Sequence, residues 1–387
     1  MPKADRYSKT RGKSLSAVAR ESAGQDLGPL RRAVDRRLAG FLDSKAAAAS
    51  RGGALPADVV EEVRGFLFAG GKRLRPLMCL LGWHAACGRD TRPPDPVLGV
   101  AASLEMFHAF ALIHDDLMDG SRHRRGRETL QHLLAARHTR QQARQPMAAA
   151  DRAARSQRAG EATAILIGDL ALAWSDELLH TAGLTPVQWQ AVRPLVDTMR
   201  TEVMTGQYLD ITSTGKPSAD VSQALTIARY KTATYTVERP LHLGGAMAGA
   251  EDAFMSHCTA VGLPLGEAFQ LRDDLLGVFG DPALTGKSRL EDLRDGKATV
   301  LMALAARAAS PSQLRVLEEL VGNRALDETA AARVRDVLVA TGAAAEAEAM
   351  IADRLLRAHT ALDAAAFPDP VAGTLRRIID SQHARAA

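Results

Sequence analysis

Apolar residues recur every three or four positions over most of the chain after residue 27, a spacing that is typical of amphipathic α-helices. Helices are predicted over residues 28–45, 57–68, 74–87, 95–119, 160–181, 186–213, 219–237, 239–249 and 251–279, with several more from 297 to the C-terminus. The strict alternation that marks a half-buried strand is rare. The pattern predicts an all-α protein, and because no composition break divides the helical part, residues 28–387 are expected to form a single domain.

Two segments depart from this helical pattern. Residues 1–27 are polar and rich in Lys, Arg and Ser, which predicts a disordered, basic N-terminal extension. Residues 135–161, AARHTRQQARQPMAAADRAARSQRAGE, are rich in Arg, Gln and Ala and are predicted to form a polar, mobile excursion between two helices. Helix starts are predicted at Pro186 and Pro311, because a proline is tolerated in a first turn and each follows a good N-cap residue.

Composition limits the classes of protein that remain. The 387 residues include 46% hydrophobic side chains, enough to bury a large core. Three cysteines are too few for a disulfide framework and form no zinc pattern, which favours a reducing cytoplasm. No apolar run approaches the ~18 residues of a membrane span, so no transmembrane segment is predicted. Nucleic-acid binding is not expected either, because no zinc-finger, RNP-like or basic-zipper pattern accompanies the net charge of +4.

The stretch LIHDDLMDGSRHRRG, residues 112–126, places acids at the C-terminal end of an apolar helix. Asp115 and Asp119 are one turn apart on the same face, with Asp116 beside them. The helix dipole disfavours negative charge at this end, so a cation is expected to compensate, and oxygen ligands of this kind suit Mg²⁺ with bound phosphates. Without metal these acids should repel one another, so that removing Asp115 would slightly raise stability. Arg124 and Arg125 could bind the same phosphates.

A second acidic cluster lies in FQLRDDLLGVFGDPALTGK, where Asp273 and Asp274 end another apolar helix and Lys287 follows. Two facing acidic clusters can hold a metal set around one diphosphate. A third element, GGKRLRP at residues 70–76, places the basic side chains of Lys72, Arg73 and Arg75 at the start of a helix, where backbone N–H groups also favour anions. The sequence thus predicts two phosphate-binding regions, one dependent on metal and one basic.

Five motifs in consistent order carry a family resemblance: GGKRLRP, the HDDLMD and RRG segment, GQYLD at 206–210, YKTATY at 230–235, and the second aspartate-rich segment. Together they resemble the trans-isoprenyl diphosphate synthases of the polyprenyl synthetase family, most closely the bacterial geranylgeranyl diphosphate synthases. The resemblance implies a helical bundle with a central cavity between the two aspartate-rich helices, a Mg²⁺ cofactor and a homodimer.

The resemblance also implies roles for individual residues. Asp115, Asp119 and Asp273 are the metal ligands that it implies, and with Arg124 and Lys231 they make up the catalytic set. Isopentenyl diphosphate would be bound by Lys72, Arg75, His108 and Arg125. The allylic diphosphate would be bound by Arg124, Lys231, Thr232, Gln270, Lys287 and Lys297.

Some of these residues could instead have a purely structural role. Thr232 and Gln270 could be helix-packing polar groups, and His108 a core histidine. Asp210 could orient Lys231 by charge pairing as readily as it could touch substrate. Asp169 in LIGDLAL is interpreted as a structural polar residue.

Two positions depart from the family pattern. The second motif is usually DDxxD, but its fifth position here is Gly277, so one potential ligand is missing. Activity is still expected, because Asp273, Asp274 and Gln270 keep their spacing. Glu128 stands where the family usually has Pro, which puts the geometry of that loop in question.

The implied activity is a Mg²⁺-dependent, head-to-tail (1′-4) condensation of isopentenyl diphosphate with an allylic diphosphate. Phe110, five residues before the first Asp and next to the small Ala111, resembles enzymes that stop at geranylgeranyl diphosphate, with Phe107 as a second floor residue. The alternative product is farnesyl diphosphate. A class I terpene cyclase would not need GGKRLRP or the Lys231–Thr232 pair, and a non-catalytic subunit of a heteromeric synthase has only Gly277 in its favour.

Overall fold

The computed structural model describes residues 26–51, 56–88, 92–143, 147–282 and 288–383, and nearly all of them are helical. The helices are α1 (Leu27–Ser50), α2 (Ala57–Phe68), α3 (Leu74–Cys87), α4 (Asp95–Met118), α5 (Leu130–Gln141), α6 (Ala149–His180), α7 (Pro186–Ser213), α8 (Val221–Ala228), α9 (Arg239–Met247), α10 (Asp252–Phe279), α11 (Glu291–Asp295), α12 (Val300–Ala308), α13 (Pro311–Leu320), α14 (Glu328–Ala340), α15 (Ala343–Ala364) and α16 (Asp369–His383). A hairpin of β1 (His123–Arg124) and β2 (Arg127–Glu128) follows α4, and a π-helical segment, Arg229–Glu238, joins α8 to α9. The prediction of an all-α protein is confirmed.

Helix starts agree with the sequence where a local capping signal marks them. Thr185 and Ser310 each form a capping box, in which the cap side chain and the Gln three residues later satisfy each other's backbone N–H groups. A proline occupies the first helical position after each cap, as predicted. The extension predicted to be disordered lies outside the described residues except for its last two positions, where Asp26 caps α1.

The predicted excursion over residues 135–161 is wrong in its secondary structure. Helix α5 continues to Gln141, and α6 begins at Ala149, well before the predicted start at residue 160. Ala, Arg and Gln are good helix formers, so a polar composition does not prevent a helix when one face finds a partner. That partner is α5, since a Cβ on Gly160 would lie 2.4 Å from the carbonyl oxygen of Gln131.

The predicted break between residues 237 and 239 is also absent. The chain runs from Val221 to Met247 without interruption, and its central part adopts the wider π winding. Pro240 removes one backbone N–H donor from this helix, and the wider winding accommodates that loss without a break. Lys231 and Thr232 therefore lie on a π-helical rather than an α-helical surface.

Helices α3 and α9 form the central layer of the molecule. Both contribute side chains to two large hydrophobic clusters, one built mainly from α1 to α7 and the other from α10 to α16. Leu80 and Leu81 of α3, for example, belong to opposite clusters. A helix that is apolar on all sides must be buried on all sides, which explains their central position. That residues 28–387 form a single domain stays a prediction.

Helix α4 is, among the described residues, the one helix long and apolar enough to cross a membrane by length and composition. In the structure 72% of its most apolar window is buried inside the protein. Its Glu105 forms a buried ion pair with Arg73, 2.9 Å between Oε1 and Nη1. These contacts are those of a core helix, and they place its last turn, which carries the acids, at the edge of the interior.

Candidate active site

The last turn of α4 presents two carboxylates that are already neutralised by cations from other elements. Asp115 Oδ1 lies 3.0 Å from Lys231 Nζ, and its Oδ2 lies 3.0 Å from Arg124 Nη2. Asp119 Oδ2 accepts from Lys297 Nζ at 2.8 Å. The expectation that these acids are unneutralised in the absence of metal is therefore wrong, because lysines remote in sequence replace the cation. Removing Asp115 would take one acidic partner from Lys231 and one from Arg124, leaving them Asp210 and Asp116, so stability should fall and not rise.

The pKa of Asp115 reflects this balance. Burial favours the neutral form of its carboxyl group, but the charges of Lys231, Lys297 and Arg124 outweigh burial and hold the pKa well below the usual range. The pKa of Lys297 is raised well above its ordinary value: burial opposes this, but Asp292 and Asp119 favour the charged form. Asp115 and Lys297 are thus both ionised at neutral pH.

The hairpin after α4 directs Arg124 and Arg125 to different places. His123 pairs with Glu128 and Arg124 with Arg127, so Arg125 and Gly126 form a two-residue turn in which both φ angles are positive, 53° and 73°. Such a turn matches the twist of a short hairpin. Glu128 occupies a regular strand position here, which settles the loop geometry that its departure from Pro had put in question. Arg124 is turned inward, where its Nε bonds both oxygens of Asp116 at 2.8 Å.

Close helix packing brings Lys231 to the acids. A Cβ on Gly206 of α7 would lie 2.3 Å from the backbone N of Lys231, and a Cβ on Gly266 of α10 would lie 2.6 Å from Ala233 Cα. Only glycine permits this approach, since the π-helical segment is wider than an α-helix. At this distance Lys231 Nζ reaches Asp210 Oδ2 at 2.5 Å as well as Asp115. The ion pair with Asp210 considered from the sequence is present.

The second aspartate pair divides between surface and interior. Asp273 is exposed, whereas Asp274 is buried. Burial raises the pKa of Asp274 to about 7, against a hydrogen bond from Gln270 Nε2 at 2.7 Å that lowers it. Gln270 Oε1 in turn accepts from Thr232 Oγ1 at 2.5 Å. Thr232 and Gln270 thus bond to each other across the two helices, as the packing alternative expects, and Asp273 is the acid that faces outward.

The missing fifth position of the second motif is filled from elsewhere. A Cβ on Gly277 would lie only 2.0 Å from Asp292 Oδ2, so the carboxylate of Asp292 stands where a side chain of residue 277 would begin. Asp292 also lies 3.8 Å from Lys297 Nζ. Sequence reasoning missed this residue, although the acidic run LEDLRD that contains it was visible. The first acid cluster and α11 together line an open cleft of about 310 Å³.

The donors of this cleft suit a divalent cation held jointly with phosphate. No three acidic or imidazole side chains among the described residues are close enough to enclose a metal by themselves. Mg²⁺ commonly takes one or two carboxylates and completes its octahedron with water and substrate phosphates. Asp115 and Asp119 line this cleft and could supply such carboxylates, whereas Asp273 is not among the described residues that line it. The positive side chains of Lys231, Lys297 and Arg124, which pair with these two acids, show where the site needs positive charge.

A second, basic region lies two turns deeper along α4. Arg75 of α3 donates from Nη2 to Thr236 Oγ1 at 2.8 Å, and its guanidinium lies 4.0 Å from the ring centre of Tyr235. His108 Nδ1 lies 2.5 Å from Tyr235 Oη. Burial lowers the pKa of His108 well below its ordinary value, and the charge of Arg75 lowers it further, so the ring is neutral. Tyr235 and Thr236 were not singled out from the sequence.

The other residues of the GGKRLRP motif have different surroundings. Lys72 is exposed. Arg73 is not available to an anion, because it is buried and bonded to Asp35 and Glu105, at 2.8 and 2.9 Å. Arg125 donates to the carbonyl oxygen of Gly70, which ties the hairpin to this loop. Lys287 falls outside the residues that the structure describes.

The predicted product-length residues lie beside this basic region. The ring centres of Phe107 and Phe110 are 5.3 Å apart, and that of Tyr235 is 6.0 Å from Phe107. Phe107 is fully buried, while Phe110 and Ala111 are half-buried. Behind Phe107 lies Arg200, whose guanidinium is 5.4 Å from the ring centre and pairs with Asp176 at 2.6 Å.

Comparison with known proteins agrees with this geometry. A family model described as Polyprenyl synthetase matches residues 58–338. The geranylgeranyl diphosphate synthase of Mycobacterium tuberculosis is 33% identical over 293 residues, 74% of this chain and 74% of that protein. The geranylfarnesyl diphosphate synthase of Aeropyrum pernix is 32% identical over 283 residues, 72% of this chain and 79% of that protein. The crystal structure of geranylgeranyl pyrophosphate synthase from Corynebacterium glutamicum, complexed with isoprenyl diphosphate and magnesium, has a TM-score of 0.85 and 38% identity, covering 93% of this chain and 100% of that one.

A helical fold of the isoprenoid synthase type, with an acid-lined cleft above a cluster of guanidinium groups, defines an enzyme of prenyl transfer. The chain belongs to the polyprenyl synthetase family and is a prenyltransferase.

Proposed function

We propose that this prenyltransferase joins isopentenyl diphosphate to allylic diphosphates in a Mg²⁺-dependent, head-to-tail (1′-4) condensation, and that its product is geranylgeranyl diphosphate. The observation that carries the proposal is the convergence of Lys231, Arg124 and Lys297 on the acids of α4. Cations from three separate elements meet two carboxylates at one point. In such a site the ion pairs within the protein can be exchanged for bonds to ligands. The cationic side chains would then bind the diphosphate, and the carboxylates would bind its metal ions.

The allylic diphosphate is assigned to the acid-lined cleft. Asp115, Asp119 and Asp273 would hold Mg²⁺, which would supply positive charge to stabilise the leaving diphosphate. Lys231 and Arg124 are held in place by Asp115, so they can donate to diphosphate oxygens with little reorganisation. In this proposal Thr232, Gln270, Lys287 and Lys297 complete the site.

Isopentenyl diphosphate is assigned to the basic region around Arg75, with Lys72, His108 and Arg125. Its double bond attacks the allylic carbon as the C–O bond to diphosphate breaks, and the proton lost afterwards goes to the released diphosphate. Aromatic walls from Phe107 and Phe110 keep water from the carbocation, which would otherwise be trapped as an alcohol. The separation of the two sites supports a two-substrate condensation over a cyclase, which binds one diphosphate.

The product assignment is supported by the half-buried Phe110 beside Ala111, with farnesyl diphosphate as the alternative. The M. tuberculosis relative is named a geranylgeranyl diphosphate synthase, but the A. pernix relative is named for a longer product, so relatives differ in product length.

We also propose a cytoplasmic homodimer. The three free cysteines support the reducing compartment, and the exposed apolar side chains of Ile165 and Leu166 on α6 support a partner surface.

Prenyl transfer with Mg²⁺, isopentenyl diphosphate and each of dimethylallyl, geranyl and farnesyl diphosphate tests the function directly. Asp115→Asn and Asp273→Asn should each lower kcat by at least about 10²-fold, because each removes a charge that the leaving diphosphate and its metal require. Asp169→Asn is the matched control, since that acid is exposed on α6. Near-normal turnover of both site variants would contradict the assignment, and an inactive wild-type chain would favour the non-catalytic subunit.

The division into two diphosphate sites has its own kinetic test. Lys72→Ala and Arg75→Ala should chiefly raise the KM for isopentenyl diphosphate, whereas Lys231→Ala should affect the allylic substrate, since each removes a charge-assisted bond to one ligand. Equal effects of all three variants on both substrates would contradict the division.

A further inference from the structure

The basic region contains two residues to which the resemblance assigns no role, Tyr235 and Thr236, and both come from the π-helical segment that also carries Lys231. Thr236 and the ring of Tyr235 hold Arg75, and the hydroxyl of Tyr235 meets His108. In addition, Arg75 Nε is buried and has no hydrogen-bond partner in the structure. A buried guanidinium N–H without a hydrogen-bond partner is a group that an anion would satisfy.

We propose that Tyr235 is a positioning residue for the isopentenyl diphosphate site: its hydroxyl donates to His108 Nδ1, which leaves the ring proton on Nε2 as a donor for the substrate diphosphate. The inference rests on the proposed function for the identity of the ligand. It concerns which of the two nitrogens of His108 carries the proton, a property that the heavy-atom positions leave open.

The direction of the hydrogen bond follows from the chemistry of its neighbours. Burial raises the pKa of Tyr235 to about 12, so the phenol keeps its proton and must direct it to an acceptor. The guanidinium of Arg75 carries donors only and cannot accept. The Nδ1 atom of His108, 2.5 Å away, is an acceptor when the neutral ring carries its proton on Nε2.

The consequence for the site is a single, fixed arrangement of donors. A neutral histidine with an N–H at Nε2 adds a hydrogen bond to a diphosphate without adding a further positive charge to the arginines. With the opposite tautomer, Nε2 would present a lone pair and repel phosphate oxygens. Tyr235 therefore acts on the substrate through His108, and on Arg75 through its ring face.

The tautomer can be measured without any substrate. Long-range ¹H–¹⁵N spectra of ¹⁵N-histidine-labelled wild-type protein report which ring nitrogen is protonated, and the spectrum of His108→Gln identifies the signals of His108. Wild type should show His108 protonated at Nε2, and Tyr235→Phe, which keeps the ring, should gain the Nδ1–H form. A wild-type ring protonated at Nδ1, or an unchanged pattern in Tyr235→Phe, would overturn the proposal. If Tyr235→Phe does not fold, a wild-type ring protonated at Nδ1 would still overturn the proposal.

Steady-state kinetics then separate positioning from a general structural effect. Tyr235→Phe should raise the KM for isopentenyl diphosphate about tenfold, the scale of one hydrogen bond, and change the KM for the allylic substrate less than about twofold. In a His108→Ala background the same change should have no further effect on KM, because the residue through which it acts is gone. An equal effect in both backgrounds would contradict the proposal.

A negative result in the kinetic assay and a negative result in the spectra would contradict different proposals. If the wild-type chain shows no prenyl transfer, the proposed function falls, yet the spectra still decide how Tyr235 and His108 share their proton. If transfer proceeds and the tautomer does not depend on Tyr235, the proposed function stands and the role of Tyr235 is wrong. Thr236→Val serves as a matched control, since it removes a partner of Arg75 but should leave the tautomer of His108 unchanged.

Discussion

At the scale of single residues, the negative charges of the candidate site are offset by positive side chains of the same protein. Lys231 and Lys297 hold the carboxylates of α4 at hydrogen-bond distance, and Asp292 on α11 shares Lys297 with Asp119. These groups are buried or nearly so, where an unmatched charge is costly. A substitution at one of them therefore changes the stability of the protein as well as its chemistry.

Gly277→Ala is expected to displace the carboxylate of Asp292, because the added Cβ would lie 2.0 Å from Asp292 Oδ2. We expect a loss of about 1–3 kcal/mol in the free energy of unfolding, typical of overpacking, together with a lower kcat. Denaturant unfolding at constant pH measures the first effect. The double variant with Asp292→Gly should recover stability but not activity. Unchanged unfolding of the single variant would show that Asp292 moves aside freely.

His108 should make the protein less stable in acid. The pKa of His108 is lowered by burial and then by Arg75, whereas the unfolded chain takes up a proton near pH 6.5. The unfolded state thus binds more protons below that pH, and the contribution of His108 to stability is present above it and lost as pH falls, at up to about 1.4 kcal/mol per pH unit. Urea unfolding of wild type and His108→Gln at pH 7.5 and 5.0 should show a smaller acid loss in the variant. Equal losses would mean that His108 is protonated in the fold.

At the scale of elements, the π-helical segment contributes side chains to both of the proposed diphosphate sites. Lys231 points to the acids of α4, while Tyr235 and Thr236 point to Arg75 and His108. Its wide winding is possible because α7 and α10 meet it with glycines. The π-helical winding therefore determines the directions in which Lys231, Tyr235 and Thr236 point, so that one short segment contributes to two proposed sites.

Gly206→Ala should disturb this element, because the new Cβ would lie 2.3 Å from the backbone N of Lys231. Backbone cannot yield as a side chain does, so we expect a loss of roughly 2 kcal/mol or more in unfolding free energy and a lower rate of prenyl transfer. Gly40→Ala is the matched control. It lies on the exposed side of α1 with no atom within 4 Å of its added Cβ, and it should stabilise the protein by up to about 1 kcal/mol. Similar behaviour of the two variants would contradict the role of close packing.

At the scale of the whole molecule, the position of the cavity floor depends on how α4 packs against α6 and α7. Phe107 and Phe110 stand on α4, but the charged group behind Phe107 is Arg200 of α7, paired with Asp176 of α6. A hydrocarbon chain that passed Phe107 on this side would meet the Arg200–Asp176 ion pair, whose side chains are 21% and 38% exposed. We therefore propose that the floor is formed by side chains of three helices and not by one side chain alone.

The double variant Phe107→Ala and Phe110→Ala should give products longer than twenty carbons, since it removes two rings from the proposed floor. Adding Arg200→Leu should lengthen them further, because the remaining barrier is charged. Chromatography of the dephosphorylated alcohols measures the chain lengths. Variants that keep the wild-type product would place the floor on other residues, and the matched control Phe66→Ala on α2 should leave product length unchanged.

The sequence by itself determined the features that depend on neighbouring residues. The bounds of α2, α3 and α7 and the N-cap positions Thr185 and Ser310 rest on local signals, and they were predicted correctly. The order of the motifs was sufficient to predict the family and the all-α fold. The acids of α4 were predicted to form a site, because carboxylates at the C-terminal end of an apolar helix need a partner, and that prediction stands to be tested.

Only the tertiary structure decided which partners those groups take. Lys231 reaches Asp115 from 116 positions away, and Lys297 reaches Asp119 from 178 positions away, so no local pattern could show that the acids are neutralised. The same holds for Asp292 at Gly277 and for the helix over residues 149–161, which forms against α5. These features arise from contacts between elements distant in the chain, and the free energy of such contacts is realised only when the whole fold brings them together.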